Sequence, residues 1–309
     1  PEQLDELMGE KYADTLERHL ARFTLDREAA VRENAFAALR NRGYALMGGY
    51  DLARDYRYVA YRMFQAGDIE LAITLLRHAL ALHGHGPGAY APYVEKMKAV
   101  ISLLKDIRYT TEHGIPAKKR KPGKRVLIAG GGGFLGERLI AELKRVLPAD
   151  AGIVVADFNP GSGQSGVSWA RTDLRDPLAV RELFDAYGGF DQVVMLAAMK
   201  LPQWSAEHPA GAVNANVLLE MYKQSAAYGS RIVQMSTAEL YPLKDRAKYT
   251  ETSPIDPTKN PYALSKFMME VIPGYFNVPA VSLRLTNLFG AGQGSDVISV
   301  FSYLLYTEK

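Results

Sequence analysis

The chain has 309 residues, 48% hydrophobic and 23% charged, the balance of a globular protein with one large core or two smaller ones. Its 37 basic and 34 acidic residues leave a net charge of +3, too even to point to nucleic acid. The lack of cysteine excludes a disulfide framework, a thiolate metal site and a cysteine nucleophile, and no apolar run reaches the length of a membrane span. The opening PEQLDELMGE is acidic and unlike a signal peptide, so a cytoplasmic location is expected, with no nucleic-acid or membrane partner.

Residues 1–112 are expected to form an all-α domain. Apolar residues recur at helical spacing in Leu4, Leu7, Met8, Tyr12 and Leu16, again from Val31 to Leu39, and from Tyr93 to Leu104. Ala60, Gly67, Ala72, Leu76 and Ala79 have the small-residue skeleton of one tetratricopeptide-like hairpin, with its turn at Gly67-Asp68. No second copy follows, and one repeat cannot bury its own face, so a plain bundle is favoured over a partner-docking surface. His83-Gly84-His85-Gly86 offers two histidines without a third ligand, which reads as a loop and not a metal site.

Pro116, Pro122 and Gly123 end the helical part, and Lys118–Lys121 forms a short basic run. Residues 113–124 therefore read as a solvated basic linker. Beyond it, 125–309 changes character.

The organising stretch is Arg125–Gly136, RVLIAGGGGFLG: a buried strand, a tight turn and the start of an amphipathic helix. Two glycine registers fit, Gly131-x-Gly133-x-x-Gly136 and Gly130-x-x-Gly133-x-x-Gly136. One glycine turns the chain, one lets backbone meet a pyrophosphate and one lets helix pack on strand. The helix N-terminus offers N–H groups and a positive dipole end to the phosphates. Asp157 ends the next apolar run, 21 residues past Gly136 (157 − 136), where a carboxylate hydrogen-bonds an adenosine ribose. Dinucleotide binding follows, and NAD is expected over NADP, since no arginine stands beside Asp157 in Ala156-Asp157-Phe158-Asn159-Pro160.

Strand candidates are Val126–Ala129, Ile153–Ala156, Gln192–Ala197, Arg231–Met235 and Ala280–Leu285, with helices at Glu137–Val146, Pro177–Tyr187, Ala210–Tyr228 and Pro261–Ile272 between them. The expected fold class is α/β, a Rossmann-type doubly wound parallel sheet preceded by an all-α domain.

Tyr262 and Lys266, four apart, share one face of the last helix. A free tyrosine has a pKa near 10, so only about a thousandth is phenolate at neutral pH, and a neighbouring ammonium favours the charged form. The phenolate can then take a proton from a sugar or alcohol hydroxyl while hydride leaves for a nicotinamide. Thr237, beyond the strand at Arg231–Met235, stands where a substrate hydroxyl needs an orienting partner; a cap or turn is the equal alternative.

The glycine loop, Asp157, Thr237, Tyr262 and Lys266, in this order, resemble the extended short-chain dehydrogenase/reductase family, and within it the nucleotide-sugar epimerase/dehydratase group. The resemblance spans about Arg125 to Gly290 and is strengthened by Asp173-Leu174, Leu196-Ala197-Ala198, Asn216-Val217, Pro257 with Asn260-Pro261-Tyr262, and Arg284-Leu285-x-Asn287-x-x-Gly290. It implies cofactor contacts from Gly130, Gly133, Phe134, Leu135, Gly136, Asp157, Asp173, Leu174, Ala197, Ala198, Lys200, Asn216, Tyr262 and Lys266. It implies catalytic roles for Thr237, Tyr262, Lys266 and Glu239, and substrate contacts from Lys200 and Asn287. NAD is the implied cofactor, and no metal is implied.

Residues 1–112 lie outside the family pattern, and the C-terminal substrate domain of the family looks incomplete before Lys309. Dehydratases of this group place Thr-Asp-Glu at the strand end, where Ala238 here replaces Asp while Glu239 remains. The expected activity is epimerisation or dehydration of a nucleotide-linked sugar by transient oxidation at C4. Decarboxylation of a nucleotide-linked uronic acid, NAD(P)H-dependent carbonyl reduction and a non-catalytic NAD-binding scaffold stay open. So do a homodimer and a protein partner for the helical domain.

Overall fold

The computed structural model describes residues 49–83, 91–158, 165–197, 210–242, 248–258, 260–286 and 288. The helical readings at Leu4–Leu16 and Val31–Leu39 lie outside these residues, as do Gly84, His85 and Gly86. The first described helix, α1 (Gly49–Gln65), stops where Gly67 takes φ +94, a conformation open to glycine at little cost. Asp68 then caps α2 (Ile69–His83), its carboxylate accepting the Leu71 N–H at 3.0 Å. The turn thus falls at Gly67-Asp68, and Ala60, Phe64, Ala72, Leu76 and Ala79 all lie wholly buried in the hairpin. α3 (Ala91–His113) packs against α2 and buries Leu103, Leu104 and Ile107.

Val126, Leu127, Ile128 and Ala129 of β1 (Arg125–Ala129) are each 4% exposed or less, which requires cover on both faces and a neighbour at both edges. α4 (Phe134–Val146) follows, then β2 (Gly152–Asp157), β3 (Ser168–Arg171), α5 (Pro177–Tyr187), β4 (Gln192–Met195), α6 (Ala210–Tyr228), β5 (Arg231–Thr237), α7 (Pro261–Tyr275) and β6 (Ala280–Leu285). All pairings are parallel, in the order β3-β2-β1-β4-β5-β6. The order reverses between β1 and β4, which opens a crevice beyond their carboxyl ends. This is the doubly wound Rossmann-type sheet. One face is a core of Val126, Ile128, Ile140, Ile153, Val155 and Val194, with Trp169 and Leu143 against it. β3 escapes periodicity because it is four residues long and only half buried.

By contact the chain divides into two units, one of Pro1–Gly114, Lys200–Ala215 and Lys248–Val271, the other of Ile115–Met199, Asn216–Ala247 and Ile272–Lys309. The first three turns of α7 thus group with the N-terminal helices, although the sequence runs them with the sheet. The basic stretch after α3 is largely exposed, as a solvated linker would be, and it is also pinned by ion pairs. Lys118 pairs with Asp185 at 2.7 Å, Arg120 with Asp191 at 2.8 Å, and the Lys118 N–H donates to the Ala227 carbonyl at 2.7 Å. Acidic residues on the sheet's helices and loops draw the run onto the domain. Among the described residues no helix is long and apolar enough to cross a membrane, and no three potential metal ligands cluster.

Candidate functional site

The glycine turn closes the carboxyl end of β1. Gly130 has φ +80, and a Cβ there would come 2.5 Å from the Ala197 nitrogen, just past β4. A Cβ on Gly136 would come 2.2 Å from the Gly131 carbonyl oxygen, so only glycine lets α4 start so close to the turn. Gly133 differs. It is the N-cap of α4 with φ −96, an angle any residue adopts, and a Cβ there would meet nothing within 4 Å. Its use is the space it leaves, not its backbone freedom. Gly130, Gly133 and Gly136 supply turn, open approach and helix packing. Gly131 has no room for a Cβ either, which would lie 2.7 Å from Val155 Cγ1, so each register contains glycines that the turn requires.

α4 begins at Phe134, three residues before the sequence pattern places it, so Phe134, Leu135 and Gly136 form its first turn. Gly133 brings no side chain to cap them. Their N–H groups face the same open approach, a setting suited to a phosphate. Asp157 ends β2 and its Oδ2 accepts the Gly132 N–H at 2.9 Å, holding the carboxylate against the turn. These residues fit a dinucleotide: open backbone for the pyrophosphate, with an acid alongside for a ribose.

Asp173 and Leu174 follow β3. Asp173 is tied to Arg175, whose Nη2 and Nε donate to its two oxygens at 2.7 and 2.9 Å. Those hydrogen bonds hold its carboxyl below the usual range. Leu174 is 9% exposed and largely packed away. Two arginines that the local sequence around Asp157 does not reveal also arrive here. Arg171 is the register partner of Asp157, and its guanidinium lies 5.6 Å from the Phe158 ring, with that of Arg175 at 6.0 Å. Parallel pairing of β2 with β3 brings them in, and nothing local in the sequence announces it.

At the end of β5, Thr237 is 6% exposed and its Oγ1 accepts the Glu239 N–H at 3.2 Å. The hydroxyl therefore caps the short 3-10 turn Ala238–Leu240, and its own proton still has to go to an acceptor. Glu239 is exposed.

Asn260 starts α7, its side-chain oxygen accepting the Ala263 N–H at 2.7 Å, and Pro261 occupies the first helical position that suits it. The cap starts the helix here, and helical pitch then puts Tyr262 and Lys266, four apart, on one face. Lys266 is 2% exposed, and its Nζ lies 5.7 Å from the centre of the Tyr262 ring. Burial pushes its amine down to about 8. One unit is tenfold, so at neutral pH the charged form still prevails by about ten to one.

Ala198, Lys200 and Asn287 lie outside the described residues. The backbone of Asn216 falls in α6, and its side chain is likewise outside them.

Residues 126–306, more than half of the chain, match the family described as NAD-dependent epimerase/dehydratase. The chain belongs to that family. UDP-glucose 4-epimerase 2 of Arabidopsis thaliana is 30% identical over 165 residues, covering 48% of this chain and 46% of the relative. A probable dTDP-glucose 4,6-dehydratase of Sinorhizobium fredii is 30% identical over 162 residues, 46% of each. The crystal structure of Thermus thermophilus UDP-glucose 4-epimerase with NAD superposes with a TM-score of 0.50 at 30% identity, covering 58% of this chain and 61% of that one. The chain thus spans about half the length of the curated epimerase/dehydratase relatives it matches. α1, α2 and α3 precede the family match.

Proposed function

We propose that the chain carries the NAD-binding and proton-transfer machinery of an enzyme that epimerises or dehydrates a nucleotide-linked sugar through transient oxidation at C4. The observation that carries this reading is the Tyr262–Lys266 pair, one helical turn apart, with an amine almost wholly removed from water 5.7 Å from the phenol ring. Relatives named for UDP-glucose and dTDP-glucose support the substrate class.

In this reading Gly130, Gly133, Phe134, Leu135 and Gly136 hold the pyrophosphate, and Asp157 accepts hydrogen bonds from the adenosine ribose. Asp173 and Leu174 flank the adenine, Ala197, Ala198 and Asn216 line the cofactor, and Lys200 and Asn287 reach the substrate. NAD, when bound, supplies the hydride acceptor. Tyr262 as phenolate takes the proton of the C4 hydroxyl, Thr237 orients that hydroxyl, and Lys266 stabilises the phenolate. The ketone so formed acidifies the neighbouring C–H. Epimerisation needs only a turn of the intermediate and return of the hydride. Elimination needs a base as well, for which Glu239 is the candidate. It also needs an acid to protonate the leaving hydroxyl, a role that Ala238, standing where dehydratases have Asp, does not fill. Epimerisation is the simpler outcome.

The test is to incubate the protein with a panel of nucleotide sugars and follow products by mass spectrometry and chromatography. An isomer of unchanged mass, or loss of water, supports the reading. Loss of carbon dioxide would replace it with the decarboxylase. Reduction of simple carbonyls that depends on added NAD(P)H, with no nucleotide sugar turned over, would replace it with the reductase. NAD bound with no turnover of any kind would leave the scaffold.

A further inference from the structure

Five consecutive residues of α7, Ser265, Lys266, Phe267, Met268 and Met269, are each 2% exposed or less. Five residues exceed one helical turn, so at this level the helix is enclosed on every side. On one side the neighbour is Tyr61 of α1. Its ring lies 6.1 Å from that of Phe267, centroid to centroid, inclined by 55°. That spacing is within the range of an attractive aromatic pair. Tyr61 is 3% exposed and Phe267 not at all, and the same contact unit holds both.

A buried ring pair usually does no more than hold two helices together. Here three further facts bear on it. Phe267 is the next residue after Lys266, and Ala263, one turn back from Phe267, is also fully buried, so a continuous stripe of α7 is covered. α1 stands outside the residues that match the family, 126–306, so this cover comes from a part of the chain the family match does not include. Tyr61 itself is anchored, since Ala60 and Phe64 beside it are fully buried in the hairpin.

We propose that the N-terminal helices seat the helix that bears Tyr262 and Lys266, and that Tyr61, through Phe267, is a positioning residue for that pair. The proposal rests on the reading of Tyr262 and Lys266 as the proton-transfer pair. Truncating Tyr61 removes the ring that packs on Phe267 and leaves a cavity beside the enclosed turn. α7 can then shift, and water can reach the amine of Lys266. A misplacement of about 1 Å at a reacting group can cost on the order of 10²-fold in rate. On α7 the titratable groups nearest Lys266 in the helix are Tyr262, whose ring centre lies 5.7 Å from the amine, and Glu270, one turn on. On α1, facing Phe267, they are Tyr61 and Arg57, which interacts with Tyr61.

The experiment compares the full chain with Tyr61→Ala and Tyr61→Phe. It reads NAD affinity, kcat and KM on the nucleotide sugar found active, and the protonation midpoint of Lys266 by competitive acetylation with peptide mass spectrometry. Tyr61→Ala should still bind NAD, because the glycine turn belongs to the other unit. Its loss of affinity should be smaller than its loss in kcat, since Tyr262 and Lys266 are read as cofactor contacts too. Its kcat should fall by roughly tenfold or more with KM changed by less than about threefold. The Lys266 midpoint should rise by about one unit or more towards the ordinary lysine value as the amine regains water. Tyr61→Phe keeps the ring and should match wild type in all three. Unchanged kcat and midpoint in Tyr61→Ala would overturn the proposal. Lost turnover with an unmoved midpoint would overturn it too, because a general structural defect produces that result. Should Tyr61→Ala fail to fold, Tyr61→Leu, which keeps bulk but not the ring, is read by the same outcomes. If wild type turns over no nucleotide sugar while the midpoint still shifts, the functional reading fails and the seating of α7 stands.

Discussion

The amide nitrogen of Ala197 lies 2.5 Å from where a Cβ on Gly130 would begin. The end of β1 and the end of β4 meet there backbone to backbone, at the point where the strand order reverses. Gly130→Ala faces both this clash and φ +80, which costs an L-residue roughly 1–2 kcal/mol by itself. The variant should therefore lose thermal stability and NAD affinity together. A melting curve and an NAD titration check this; wild-type behaviour in both would contradict the geometry.

Gly133→Val should separate the two effects. Its backbone suits any residue, and a Cβ there meets no protein atom within 4 Å, so the fold should persist. The branched side chain would fill the approach assigned to the pyrophosphate, and NAD binding should be lost. A valine variant that binds NAD like wild type would show the turn to be wrongly assigned.

NAD should bind more tightly than NADP. Asp157, held by the Gly132 N–H, repels a 2′-phosphate, and of the two arginines nearby Arg175 is already engaged by Asp173. Arg171 remains, so Asp157→Asn should narrow the preference. Paired titrations decide it, and tighter NADP binding by wild type would refute the assignment.

Tyr262→Phe removes one oxygen and keeps the ring. NAD should still bind, while turnover should fall by roughly 10²–10⁴, the usual worth of a positioned proton-transfer group. Lys266→Ala should cost a similar factor. The double variant should be little worse than either single one, because both act on one proton transfer. Multiplying losses would mean that the two residues act independently.

The buried amine of Lys266 also ties stability to pH. Its folded value, about 8, lies below the ordinary lysine value of 10.5, so between these the unfolded chain binds more protons. Stability should accordingly rise with pH from about 8 upwards. Tyr61 and Tyr228 are both raised to about 12 by burial, so above pH 10 the native state binds more protons and stability should fall. Denaturant unfolding between pH 7 and 11 should show the rise, and Lys266→Met should abolish it. A rise that persists in the methionine variant would assign it to another group.

Local chemistry was enough to read the strands at 126–129 and 153–156, because fully buried parallel strands need unbroken apolar runs. It was enough to read the edge strand at 280–285 from Val281, Leu283 and Leu285, although that strand stays exposed or half-buried along its length. It was enough for the glycine turn, whose constraint lies within seven residues, and for the Tyr262–Lys266 face, because helical pitch alone sets that spacing. β3 was missed because a short, half-buried strand carries little pattern of its own. Which glycines have no room for a side chain needed the neighbours: the approach of Ala197 to Gly130, of Val155 to Gly131 and of the Gly131 carbonyl to Gly136 is not written in the spacing. The arginines at Phe158 come from strand pairing, and the ion pairs of the largely exposed basic run at 118–121 were not legible because its acidic partners, Asp185 and Asp191, lie about 70 residues away in sequence. The cover over α7 is of the same kind. Tyr61 and Phe267 are joined by packing across 206 positions (267 − 61), and no spacing rule reaches that far. Periodicity reports which face of an element is buried; only the folded chain decides what buries it.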